Sequence, residues 1–323
     1  MEEDEEAKYP GVLLSHDGRN MKHIKAKVAR GTGKVKRIIT TLDIIPLGKH
    51  YFEVGMLLRD SLLLSSILYN AEAWYNLTNA ELNLIETVDL MFLRKLMNAP
   101  KTTPKEMFFL ELGCVPIRQI ITEKRISFLH YILNQDSKSL IFKFFQSQLA
   151  SRTKRDWITT VMNDLQKLEI YFSFEEILKM KKDHFMKLIK DRIKLKTYHE
   201  MEDIKGSHSK VKNLSHENLQ MQKYLKPNRC KMNIEDGRLI FKLRCKITNA
   251  KMNFKGVYDN LECTACGLEE ETQEHIINCT KLNENKLEKN VNYEKIFNGT
   301  VHEKLKVAKR FRENFDLLEN MKK

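Results

Sequence analysis

The chain has 323 residues, 42% of them hydrophobic, with only 12 Gly and 6 Pro against 14 Met, a composition that supports real cores and favours helices. Its formal charge is +13, and all of it lies between Lys179 and Gly256, where 21 Lys and Arg meet 8 Asp and Glu; such a block points to nucleic acid and away from a small-molecule enzyme. Scattered cysteines exclude a disulfide scaffold, the acidic opening from Glu2 to Glu6 excludes a secretory leader, and Arg59 and Asp60 break the longest apolar block, Leu57 to Leu68, so an intracellular protein of nucleus or cytoplasm is expected.

Tyr9 to Ser15 is a short apolar run closed by the turn signal Asp17-Gly18, which predicts a strand or half a hairpin. Pro10 removes a donor and moves that run toward a sheet edge. Met21 to Ile45 has helical periodicity: Ile24, Val28, Val35, Ile38 and Ile39 form a stripe surrounded by Lys22, Lys25, Lys27, Arg30, Lys34, Lys36 and Arg37. Gly31 and Gly33 predict a break or kink near its middle.

Tyr51 to Tyr75 is expected to form one long apolar helix. Thr78 and Glu81 then spell a capping box, with Leu77 and Leu82 as its hydrophobic staple. In the helix that follows, Leu82, Ile85, Val88, Phe92 and Leu96 keep the apolar spacing and Asp89 is the one charged interruption. Pro104 is placed at a first helical position, Gly113 at a helix end, and Asp156-Trp157 at a helix start with a buried indole. Further helices at Ile117 to Leu133, Leu140 to Leu149 and Trp157 to Leu168 complete an antiparallel array with short loops.

Ser173 and Glu176 open another helix, after which Lys182 to Lys196 sets Phe185, Leu188, Ile189 and Ile193 inward and Lys182, Lys187, Lys190 and Lys194 outward. Glu200 to Lys226 is polar and aperiodic and reads as a mobile connector. Leu239 to Ile247 fits both a strand and a helix, with the helix preferred, and Val301 to Met321 is a terminal amphipathic helix.

Cys263, Cys266, His275 and Cys279 form a C-x2-C-x8-H-x3-C array. Zinc takes thiolate and imidazole in a tetrahedron, and four protein ligands make a closed structural site with no open position for catalysis. Cys263 to Gly267 is a turn that points two sulfurs inward, and a helix over Glu270 to Asn278 puts His275 and Cys279 on one face. One structural zinc is therefore the expected cofactor. RNA or DNA is the expected partner. The candidate phosphate contacts are Lys25, Arg30, Lys34, Arg37, Lys182, Lys187, Lys190, Arg192, Lys194, Lys242, Arg244 and Lys246, and interleaved Phe185, Tyr198, Tyr224, Phe241, Phe254 and Tyr258 are either base-stacking rings or core. His130, His184, His199, His208 and His216 lie singly and read as surface residues. Nucleotidyl transfer needs paired carboxylates on a strand, and the aspartates at 89, 136, 156, 164, 183 and 191 are isolated; no catalytic residue is assigned.

The run Tyr9-Pro10-Gly11-Val12-Leu13-Leu14-Ser15, followed by Asp17-Gly18 and a basic helix, resembles the end of the reverse-transcriptase palm in LINE-type (non-LTR) retrotransposons. Leu58 to Ser61 with Asn70 to Tyr75 is similar to the thumb helix of that family. Leu84 to Lys95, Thr103 to Glu106, Leu110 to Gly113 and Pro116 to Arg118 are similar to its following helices, and Cys263 to Cys279 to its carboxy-terminal Cys-Cys-His-Cys element. Pro10 stands where the family has leucine. The fingers, most of the palm with its aspartates, and both endonuclease types have no counterpart here.

The resemblance implies a mainly α protein: a helical thumb-like bundle, a small residual β edge at the N-terminus and a C-terminal zinc knuckle. The expected segments are 1–50 (palm edge and basic helix), 51–170 (thumb-like bundle), 171–256 (basic connector), 257–284 (knuckle) and 285–323 (terminal helix). It implies a truncated C-terminal region that binds template and primer, is not an enzyme by itself, and has the missing fingers and palm as a further partner. A stand-alone domesticated nucleic-acid-binding module, or a zinc-stapled interaction module, is the alternative.

Overall fold

A computed structural model describes residues 6–9, 12–15, 20–151, 153, 156–207, 214, 216–227, 230, 232–288 and 290–321. The fold is mainly α. In chain order the elements are β1 (Glu6–Tyr9), β2 (Val12–Ser15), α1 (Met21–Ile44), α2 (Tyr51–Leu58), α3 (Ser65–Ile67), α4 (Asn79–Leu96), α5 (Lys105–Leu112), α6 (Ile117–Leu133) and α7 (Leu140–Ser151). They continue with α8 (Trp157–Lys167), α9 (Phe174–Lys179), α10 (Lys182–Ser207), α11 (Ile234–Arg244), α12 (Gln273–Asn278), α13 (Lys295–Asn298) and α14 (Val301–Met321). No helix among the described residues is long and apolar enough to cross a membrane.

The chain divides into two compact units. The first gathers Met1–Ile44, Met56–Phe92 and Cys114–Glu200; the second gathers Ile45–Gly55, Leu93–Gly113 and Met201–Lys323. Each draws on three stretches of chain, so the five contiguous segments expected from the sequence do not map one to one onto the compact units.

In the first unit β1 and β2 pair antiparallel with Glu6 opposite Ser15 and Tyr9 opposite Val12; the expectations placed on Pro10 and on Asp17-Gly18 fall outside the described residues. Helix α1 runs unbroken through Gly31 and Gly33, against the expected kink. The reason is packing: a Cβ on Gly31 would meet Ile67 Cγ2 at 2.7 Å and Val88 Cγ1 at 2.9 Å, so the glycine admits a close helix approach. Lys27, counted from the sequence among the outward cations, is buried, with Nζ 3.4 Å from the carbonyls of Ser66 and Tyr69.

The single helix expected over Tyr51 to Tyr75 is interrupted. Arg59–Leu64 is a π-helical turn between α2 and α3, and Asn70, at φ 61°, ends the run in a left-handed conformation. Asp89 explains the chemistry of that turn: Arg59 Nε and one terminal nitrogen donate to its two carboxylate oxygens at 2.6 and 2.7 Å, both residues fully enclosed. The charged interruption in α4 is thus half of a bidentate buried pair. Burial pushes the neighbouring Cys114 thiol up to about 12.

The helix starts behave as their sequences dictate. Thr78 Oγ1 accepts from the Glu81 N–H while Glu81 accepts from the Thr78 N–H at 2.8 Å, and Ser173 and Glu176 repeat the reciprocal box. Asp156 caps α8, and the Trp157 indole, buried, donates to the Glu72 carbonyl at 2.8 Å. Pro104 sits one residue earlier than expected, at the cap of α5. The core here joins Ile126, Leu129, Trp157, Val161, Leu165, Phe185, Ile189 and Ile193. His130 belongs to it, stacked on Phe185 with Nε2 3.2 Å from the Met180 carbonyl, and is not the surface residue the sequence suggested.

In the second unit Leu239 to Ile247 resolves as helix through α11, opened by a capping box of Asn233 and Asp236. Part of the expected mobile connector is instead folded. Helix α10 extends to Ser207, and His216, Tyr224 and Leu225 are buried. Gly113, at φ 66°, lets this strand of chain approach: a Cβ there would lie 2.1 Å from the Met221 nitrogen.

Candidate metal centre

The four array residues converge. Their ligand atoms all lie within 4.8 Å of one another, with Cys263 Sγ 3.9 Å from Cys279 Sγ and Cys266 Sγ 3.3 Å from His275 Nε2. A tetrahedron with metal–sulfur bonds of ~2.3 Å has edges of ~3.8 Å, somewhat less where nitrogen replaces sulfur. The donor set therefore fits one tetrahedral cation.

Two local devices build the site. Cys263 to Gly267 is a tight turn in which Gly267 N–H donates to the Cys263 carbonyl at 2.8 Å and Gly267 takes φ 65°. The Cys263 N–H donates to the Glu269 carbonyl at 2.7 Å, and Glu262 and Glu270 form an antiparallel bridge that closes the knuckle. On the other side Thr272 caps α12 by accepting from His275 N–H at 3.0 Å, so the helix starts at Gln273 and not at Glu270. His275 and Cys279, four apart, then face the two turn sulfurs.

Three sulfurs packed this closely act on one another electrostatically. Burial, and then the neighbouring sulfurs, push the Cys263 thiol up and Cys279 up to about 12. For Cys266 burial acts upward too, but the N–H groups of Leu268 and Glu269 and the His275 ring hold it down to about 7. A divalent ion relieves this crowding by displacing protons from all three sulfurs. Around the first ring of ligands lies Glu269, whose Oε2 is 3.1 Å from His275 Nδ1. It fixes Nδ1 as the protonated nitrogen and turns Nε2 toward the sulfurs. The sequence reading missed Glu269; its only signal is a carboxylate within a turn-length of the histidine.

Knuckle and fold are tied through side-chain amides. Asn314 of α14 donates to the Ile276 carbonyl at 2.7 Å, and Asn283 donates to the carbonyls of Ile277 and Cys279 at 2.9 and 2.8 Å. Leu268, Phe254 and Tyr258 stand exposed around the knuckle.

The candidate phosphate contacts scatter over three helices. Lys25, Arg30 and Arg37 are exposed on α1 and Lys34 is half-buried there. Lys182, Lys187, Lys190, Arg192 and Lys194 are all exposed on α10, with Lys190 3.6 Å from Glu123 and Arg192 3.8 Å from Glu169. Lys242 on α11 and Lys246, in the turn just after it, are half-buried. Arg244, expected as a phosphate contact, is instead fully buried, its guanidinium spent on Glu111 and on the carbonyls of Ile296 and Phe297 at 2.9 and 2.8 Å. Among the rings, Phe185, Tyr224 and Phe241 are core and Tyr198 is half-buried, leaving Phe254 and Tyr258 exposed. His216 is buried on Glu111, whereas His184 and His199 are exposed and His208 lies outside the described residues. Comparison with protein-family models, curated proteins and solved structures finds no match.

Proposed function

We propose that this chain is a zinc-stapled nucleic-acid-binding protein that holds a template or primer strand and performs no chemistry of its own, as the thumb and carboxy-terminal region of a LINE-type reverse transcriptase would. The observation that carries this reading is the set of exposed cations on α10, Lys187, Lys190 and Lys194 on one side of its apolar stripe, Arg192 on the other and Lys182 at its start, within a segment that holds the whole net charge. Its apolar stripe, Phe185, Ile189 and Ile193, is fully enclosed, so the cations are held in a fixed array on one helix. Each phosphate neutralised by such an array releases counterions.

Zinc is the metal that the knuckle's donor set selects: three thiolates and an imidazole at tetrahedral spacing, a closed site that stabilises structure. The non-catalytic reading is supported by where the carboxylates go. Asp89 is spent on Arg59, which also takes up its neighbour Asp60 at 2.9 Å, and Asp164 is spent on Arg125 at 3.1 Å. The test is binding of single-stranded RNA and DNA by the full chain at low and moderate salt, combined with metal content of protein purified without chelator.

A further inference from the structure

The first unit contains a cavity of about 550 Å³ between the start of α4, one face of α6, the end of α8 and α10, a size suited to a small ligand. Four cations from three helices reach it: Arg118 and Arg125 from α6, Lys167 from the last turn of α8 and Lys196 from α10. Only two carboxylates oppose them, Asp164 and Glu200, and Glu200 lies 3.3 Å from Lys196. The lining therefore carries a net charge of +2, four cations against two carboxylates.

The floor and the rim differ. Arg118 and Lys167 are exposed, and Arg118 donates to Asn79 Oδ1 at 3.2 Å. Arg125 and Asp164 are buried, at 6% and 8% exposure. They form an ion pair at 3.1 Å whose alignment falls outside hydrogen bonding, and among the described residues no group hydrogen-bonds Arg125 Nε or Asp164 Oδ2. Burial pushes the Asp164 carboxyl up and the Arg125 guanidinium down, each opposed by the other. Buried polar atoms are almost always satisfied, and a buried pair with unmet valences is costly. Both atoms are closed off from solvent, so a ligand that draws the two side chains toward the cavity, bringing an acceptor to Arg125 Nε and a donor to Asp164 Oδ2, would satisfy both. Leu77, Leu82 and Leu168 supply apolar walls between floor and rim.

We propose that this cavity binds a nucleoside 5′-monophosphate unit, its phosphate held by the rim cations Arg118, Lys167 and Lys196 and the donor–acceptor edge of its base by Arg125 and Asp164. A phosphomonoester carries up to two negative charges, matching the lining, and guanidinium groups suit it in geometry. A base has flat apolar faces for the leucines and a polar edge for the floor, which inorganic phosphate and sugar phosphates lack. The unit has two sources, a free mononucleotide or the 5′-phosphorylated end of a strand. The inference stands on the cavity alone and does not need the exposed face of α10.

The full chain is titrated calorimetrically with each of the four ribonucleoside 5′-monophosphates, with inorganic phosphate, and with one oligonucleotide in 5′-phosphate and 5′-hydroxyl forms. The expected result is saturable binding of at least one monophosphate, tenfold or more tighter than inorganic phosphate and weakened at least tenfold in Arg118→Gln/Lys167→Gln. Both residues are exposed, so this variant keeps the fold, and circular dichroism checks that it does. Preference for the 5′-phosphorylated strand, lost in the same variant, identifies the strand end as the source; its absence with monophosphate binding intact identifies the free nucleotide. No monophosphate tighter than inorganic phosphate, or binding unchanged in the double variant, overturns the proposal. Failure of the 5′-hydroxyl strand to bind bears only on the α10 face.

Discussion

Arg244 faces Glu111 across the interior of the second unit: its Nε lies 3.0 Å from both carboxylate oxygens and a terminal nitrogen 2.9 Å from one of them. Both side chains are fully enclosed. The same carboxylate accepts from the Tyr224 hydroxyl at 2.5 Å and stands 3.1 Å from His216 Nε2. Glu111 thus shares one buried polar cluster with three residues more than a hundred positions along the chain, and Arg244 also bonds the carbonyls of Ile296 and Phe297 in α13. Removing Glu111 leaves a guanidinium buried without its anion, so Glu111→Ala should cost about 3–5 kcal/mol in chemical denaturation. Exposed Lys187→Ala should cost under ~0.5 kcal/mol. Equal costs for the two would remove the cluster from the account of stability.

Glu111 also sets an acid limit. Burial acts to raise its pKa, but Arg244 and then His216 outweigh it and hold the carboxyl well below the ordinary 4.5. A depressed folded pKa gives stability that is full above 4.5 and is lost as pH falls below it toward the folded value. Denaturation midpoints should therefore fall steeply below pH 4.5, and the fall should be shallower in Glu111→Gln. A matching slope in both proteins would assign acid sensitivity elsewhere.

His23 acts in a different window. It is buried edge-on to Trp74, and its Nδ1 accepts from the Leu13 N–H at 3.1 Å, which ties the hairpin to α1. Burial first, then Lys27 and Arg30, lower its pKa from 6.5 to about 4. A lowered histidine is neutral in the fold and charges on unfolding, so its contribution is intact above pH 6.5 and declines from 6.5 to 4. Protection of the Leu13 amide from hydrogen exchange, taken relative to the intrinsic rate at each pH, should fall across that interval, and His23→Gln should abolish that fall. Constant protection over the interval would contradict the assignment.

For the knuckle, protein purified without chelator should carry about one zinc per chain, and Cys266→Ser should lose it. Glu269→Gln should keep the metal and weaken it by about 10–100-fold, since it removes only the partner of His275 Nδ1. Tight zinc binding by Cys266→Ser would break the assigned ligand set.

Primer extension on an RNA template with magnesium or manganese should be absent at any protein concentration. Nucleotidyl transfer requires carboxylates paired around two ions, and Asp89 and Asp164 are bound to arginines. Extension abolished by substituting one of the chain's own aspartates would refute the non-catalytic reading.

Features whose chemistry is local were legible in the sequence. The capping boxes at Thr78 and Ser173, the Asp156 cap with its buried indole, the bounds of α14 and the four-residue metal array depend on residues a few positions apart. What failed depended on distant partners. Gly31 reads as a helix breaker until Ile67 and Val88 are placed against it. Arg244 reads as a phosphate contact because Glu111, which neutralises it, is 133 residues away. Asp89 and Arg59 show the same limit, as do His130 and His216: a polar residue in a helical stripe does not reveal whether the fold supplies it with a buried partner. The cavity at Arg125 and Asp164 had no sequence signal, because its lining comes from helices separated by long stretches of chain.

The central claim is that the α10 cations hold a nucleic-acid backbone, and the most direct measurement is the salt dependence of binding to a single-stranded RNA. Affinity should fall by orders of magnitude between about 50 and 200 mM salt, as expected for roughly six or more phosphate contacts. Charge reversal at Lys187, Lys190, Arg192 and Lys194 together should weaken binding and flatten the slope while leaving the helix folded, because all four are exposed beside an intact apolar stripe. Salt-insensitive binding, or no binding at low salt, would contradict the account.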